Sequence, residues 1–135
     1  MQLITNRTES DVINQTSKGR YSYDDLNRVE SAVAQVTGLA RLMGISMSLA
    51  TKTDWGSPGV FPDGFPTASQ MDRYLSNVRT IRDRFGISVA LPASMRRLTH
   101  TGANSIERVI EMAFQVADQT IPNFVFCGEI FAGEE

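Results

Sequence analysis

The sequence predicts a mostly α fold, a three-helix bundle with helices near 22–43, 67–85 and 101–120, flanked by an extended N-terminal arm and a short β-like C-terminal tail. Apolar residues recur at steps of three and four over three long stretches, and start and stop signals bracket those stretches. At 135 residues the chain has the size of one domain able to bury a single core. The organisation expected is an arm over residues 1–20, a helical domain over 21–122 and a tail over 123–135.

Residues 1–20 are polar, with only Leu3, Ile4, Val12 and Ile13 suited to burial, so they read as an arm with a helical turn capped by Thr8 or Ser10. In the first helix Leu26, Val29, Val33, Val36, Ala40 and Met43 form one stripe; Ser22 with Asp25 makes a capping pair and Gly44 a stop. The second carries Met71, Tyr74, Leu75, Val78, Ile81 and Phe85 between a Thr67–Gln70 capping box and Gly86. The third has a broader apolar face, Ala103, Ile106, Val109, Ile110, Ala113, Phe114 and Ala117, and is expected to end at Pro122. Beyond it Phe124, Phe126, Ile130 and Phe131 are interrupted by Gly128 and Gly133, which suggests an extended tail. Such a tail is expected to pair with the arm around Leu3 and Ile4 or with a neighbouring subunit, and these six residues are the candidate partner-binding set.

The stretch TKTDWGSPGVFPDGFPT, residues 51–67, joins the first two helices and holds the only tryptophan. Its prolines exclude a helix. Trp55, Phe61 and Phe65 could form an aromatic platform for a carbohydrate or cell-wall ligand; the favoured reading is that they fold back over the open end of the helices.

The remaining chemistry is sparse. Net charge is −2 with both signs interspersed, and the nearest approach to a basic cluster, Arg82, Arg84, Arg96 and Arg97, is broken by Asp83 and a loop, so no nucleic-acid partner is expected. A lone Cys127 excludes an internal disulfide, and no apolar run suits a signal peptide or membrane insertion, so synthesis in a cytoplasm is expected. His100, the single histidine, has no sequence context that pairs it with a nucleophile, and a hydrolase acting through it is disfavoured. Glu107 and Glu111 lie one turn apart without an answering Glu-x-x-His, so no metal, cofactor or catalytic residue is expected.

Six short strings carry a resemblance: Ile4-Thr5-Asn6-Arg7-Thr8 with Asp11-Val12; Asp25-Leu26-Asn27-Arg28-Val29-Glu30; Thr51-Lys52-Thr53-Asp54-Trp55; Pro66-Thr67 with Arg73-Tyr74-Leu75 and Asn77-Val78; Leu98-Thr99 with Ala103-Asn104 and Ile106-Glu107; and Gly128-Glu129-Ile130-Phe131-Ala132-Gly133-Glu134. In this order they resemble a family of small, largely uncharacterised tail-associated proteins and modules of phages and prophages of Gram-positive bacteria. This chain departs from many members in joining arm to first helix directly through residues 16–23, without a longer insertion. The resemblance implies a non-enzymatic virion protein, a helical adaptor in the tail, baseplate or tail-fibre attachment region. Its implied partners are other phage structural proteins and copies of itself; the alternative is a cell-wall binding module built on the Trp55 loop.

Overall fold

The computed structural model describes residues 3–16, 18–19, 21–56 and 66–133, with side chains described as far as Ile121. The fold is all-α: α1 (Glu9–Ile13), α2 (Tyr23–Leu42), α3 (Ala68–Phe85) and α4 (His100–Gly133). Each of the three long helices packs on the other two. No strand occurs among the described residues.

The helix boundaries follow local chemistry. The Thr8 side chain accepts from the Asp11 backbone N–H while the Asp11 carboxylate accepts from that of Thr8, which is enough to start the five-residue α1. At α2 the Asp25 carboxylate takes the Ser22 backbone N–H at 2.7 Å. Thr67 and Gln70 close a reciprocal box on α3, and Gly86, at φ 67°, ends that helix in the left-handed conformation that favours glycine.

The apolar stripes meet in one core. Val29, Val78, Ile81, Ile106, Val109, Ile110 and Ala113 have no exposed surface, and Leu26, Val33, Tyr74 and Leu75 are also buried. The connections contribute as well: Met47 after α2 and Ile87 after α3 are buried, with Ile45, Leu49, Val89 and Leu91 partly so. The described parts of both connections lie against α3, where its side chains bind their carbonyls. Arg73 and Asn77 donate to the Ala50 oxygen and Arg84 to that of Ser46, while Arg79 reaches Pro92 and Ala93 and Arg82 reaches Val89. Arg82 and Arg84, half of the basic cluster noted in the sequence, are thus holding backbone in place.

These returning connections set the direction of the helices. Arg73 of α3 bonds Glu30 of α2, and Arg28 of α2 bonds Glu107 of α4, each residue lying within the first eight of its helix. At the other end Arg84, near the last turn of α3, meets Ser46 just past the end of α2. The three long helices therefore run parallel, each link carrying the chain back to the starting end.

Two expectations are corrected. The third helix does not stop at Pro122, and the β-like tail expected over 123–135 is helical backbone as far as Gly133. Proline and glycine inside a helix carry a cost, about 3 and about 1 kcal/mol against alanine, and neither forbids it. The spacing of Phe124, Cys127 and Phe131 suits a helical period as readily as Phe124 and Phe126 suit an alternating one. Pairing of a C-terminal strand with the arm is accordingly absent among the described residues, and the Ile4 N–H is bonded to the Glu107 carboxylate instead.

Candidate functional site

Two polar clusters lie inside the starting end of the helices. The first is built on Arg7, only 4% exposed although it belongs to the polar arm. Its guanidinium makes five hydrogen bonds, matching its five N–H groups: to the carbonyls of Lys18 and Ile4, to Asn104 Oδ1, and to the carboxylates of Asp25 and Glu107. The Arg7 backbone is held too, its N–H donating to Asn104 Oδ1 and its carbonyl accepting from Asn104 Nδ2, both at 2.9 Å. The Tyr21 ring lies 5.5 Å from the guanidinium carbon, close enough for a cation–π contact.

Arg28 completes this cluster, with Nε 2.7 Å from Glu107 Oε1 and Nη2 2.8 Å from Oε2, and with a further bond to Asp25. Glu107 has no exposed surface, and each of its oxygens accepts two hydrogen bonds; those of Asp25 do likewise, two from the guanidinium groups and two from Ser22. Two guanidinium ions thus face two carboxylates, which leaves the buried group neutral. Burial by itself would lower the Arg28 pKa, and the bonds to Glu107 and Asp25 outweigh that and raise it. Beside the cluster the Tyr21 and Tyr74 hydroxyls bond to each other. Burial is the main cause that raises both phenol pKa values, partly offset at Tyr21 by that bond.

The second cluster is built on Glu30, buried on α2. Arg73 donates to its two oxygens at 2.6 and 3.0 Å, and the Trp55 indole Nε1 donates to the second of them. The Trp55 backbone N–H donates to Asn27 Oδ1 at 2.9 Å, and Lys52 stands 5.2 Å from the ring centre. Among the described residues every buried side-chain nitrogen and oxygen has a hydrogen-bond partner. What the two clusters do chemically is hold: the first fastens the arm to α2 and α4, the second fastens the 50–56 segment to α2 and α3.

The candidate residues fall into place around them. Trp55 is 2% exposed with its one polar atom engaged, so it offers no open ring face to a ligand; Phe61 and Phe65 lie outside the described residues. Leu3 packs partly against the core and lines a cavity of about 310 Å³ with Gln35, Glu111 and Phe114. The stretch carrying Phe124, Phe126, Ile130 and Phe131 is the terminal part of α4, and those side chains lie outside the described set. His100 opens α4, partly exposed. Glu107 is engaged by two arginines, and no three metal-ligating side chains gather among the described residues. Nor is any helix among them long and apolar enough to cross a membrane.

The sequence reading missed Arg7, Arg28, Glu30, Arg73 and Glu107 as a system. A signal was present, because Glu30 lies three and four residues from Val33 and Leu26, and Glu107 four and three from Ala103 and Ile110, on stripes that are otherwise apolar. A carboxylate on a buried stripe needs a cation. Comparison of the chain with protein-family models, with curated proteins and with solved structures gives no significant match.

Proposed function

We propose that this chain is a structural protein of a phage particle, a small helical adaptor in the tail, baseplate or tail-fibre attachment region, acting by protein–protein assembly and carrying no catalytic residue, cofactor or metal. The observation that supports it most is where the resemblance strings fall. Arg7, Asp25, Asn27, Arg28, Glu30, Trp55, Arg73, Tyr74, Asn77, Asn104 and Glu107 all come from those strings, and all take part in the two clusters or their immediate bonds. The likeness therefore concerns the residues that set this fold, an arm and a loop clamped to a three-helix bundle, more than any ligand loop.

The terminal part of α4 is the contact element in this reading. Beyond the Arg28–Glu107 pair α2 continues to Leu42 and α4 to Gly133, so α4 runs further by a dozen residues, about 18 Å at 1.5 Å per residue. A helix end of that length, bearing Phe124, Phe126, Ile130 and Phe131, suits docking into a groove of a neighbouring structural protein. Dissociated, purified particles analysed by mass spectrometry should contain the chain in stoichiometric copies. Particles that are infectious and lack it would refute the proposal.

A further inference from the structure

The helix α1 is held in place without burying a single residue: Val12 is 44% exposed and Ile13 70% exposed, two large apolar side chains side by side on the surface. Val12 borders a cavity of about 300 Å³ together with Leu98, Thr99 and His100. Leu98 also lines the next cavity, about 550 Å³, whose apolar walls come from Leu26 and Met71 on one side and Met95 on the other. An apolar projection and an apolar groove therefore share one face, with Leu98 between them.

The same face carries opposite charges. Glu9 in α1 is exposed, as are Arg96, which lines the groove, and Arg97 beside it, whereas Asp72 belongs to the far wall formed by α3. Among the described residues Glu9, Arg96 and Arg97 make no ion pair within the chain.

We propose that this face is the docking site for a second copy of the chain, with α1 of each copy seated in the 550 Å³ groove of the other. A surface that bears both projection and groove is self-complementary about a two-fold axis, and a two-fold contact closes as a dimer without leaving either half open. In that arrangement Ile13 and Val12 meet Met71, Met95 and Leu98, and Glu9 approaches Arg96 across the axis. The inference deepens the assembly reading by naming one partner, and rests on that reading only for its purpose.

Sedimentation equilibrium on the purified full chain tests it. The expected result is a reversible monomer–dimer equilibrium that weakens as salt rises. Ile13→Ser and Arg96→Glu should each loosen it at least about tenfold, with thermal unfolding of the monomer unchanged because both side chains are exposed, and adding Glu9→Arg to Arg96→Glu should restore it. A chain that is monomeric at every concentration, one that polymerises without limit, or a dimer indifferent to both substitutions overturns the proposal. A monomer found in stoichiometric amounts in particles would remove this inference alone, and a dimer absent from particles would remove the virion reading alone.

Discussion

Arg7 stands in a segment of polar residues, yet its side chain is 1% exposed and its charge lies between two carboxylates inside the protein. Taking one member out of a buried ion group leaves the others uncompensated, at a cost of about 3–5 kcal/mol. Arg7→Ala should therefore lower unfolding free energy by that amount in urea titrations, and Arg7→Lys should recover only part of it, since an ammonium cannot span Lys18, Asn104, Asp25 and Glu107 as the planar fork does. A loss under about 1 kcal/mol for Arg7→Ala would mean that the arm is not clamped.

The tyrosine pair gives a prediction in pH. Both phenols have folded pKa values raised above their ordinary value of 10.0, so the folded protein keeps protons that the unfolded chain releases. Their contribution to stability is complete below pH 10 and is lost as pH rises beyond it. Melting temperatures measured from pH 8 to 11 should fall on the alkaline side, and the fall should be shallower in the Tyr21→Phe, Tyr74→Phe double variant.

At the scale of elements, α1 depends on a close backbone approach. A Cβ on Gly19 would lie 2.2 Å from the Asp11 carbonyl oxygen, a fixed atom that cannot rotate away. Gly19→Ala should therefore push α1 off the 16–19 turn and cost about 1–3 kcal/mol in chemical denaturation; an unchanged midpoint would show that the turn relaxes freely. For the end of α4 the expectation is different. Described buried positions on that helix run from Ala103 to Ala117, so removing residues 123–135 should leave a folded, helical protein by circular dichroism that no longer enters the particle. Normal incorporation of the truncated chain would rule out this segment as the contact.

Elements of this kind differ in how far sequence reveals them. The stripes of α2 and α3 were legible because apolar spacing and capping boxes are local properties, and Thr67, Gln70 and Gly86 bound α3 to within a residue. The two clusters were not, because their partners lie far apart along the chain: Arg7 and Glu107 are separated by 100 residues, Trp55 and Glu30 by 25. No short-range pattern reports such a meeting. The helical course of α4 past Pro122 was hidden for another reason, since proline and two glycines resemble a stop and amount only to a local cost.

Across the whole molecule, the parallel course of α2, α3 and α4 places three helix starts at one end, where their dipoles set positive ends together. Asp25 in the first turn of α2 opposes that charge, and the same end holds the two neutral ion clusters. Parallel helices also require long returning links, residues 43–67 and 86–99, which the core absorbs through Met47, Trp55 and Ile87. The described arm, links and helices thus pack on one core, and every buried side-chain nitrogen and oxygen among them is hydrogen-bonded. The arm at residues 4–7 and the 50–56 segment should therefore be fastened to the core as firmly as the helices are.

Native-state hydrogen exchange measures this residue by residue. The amides of Ile4, Arg7 and Trp55 lie outside all four helices and donate to Glu107, Asn104 and Asn27. They should exchange only through global unfolding, as slowly as the amides of Val29 and Val33 in α2. Exchange of these three at the rate of an unstructured chain, with α2 still protected, would show that the arm and the 50–56 segment are not fastened to the core.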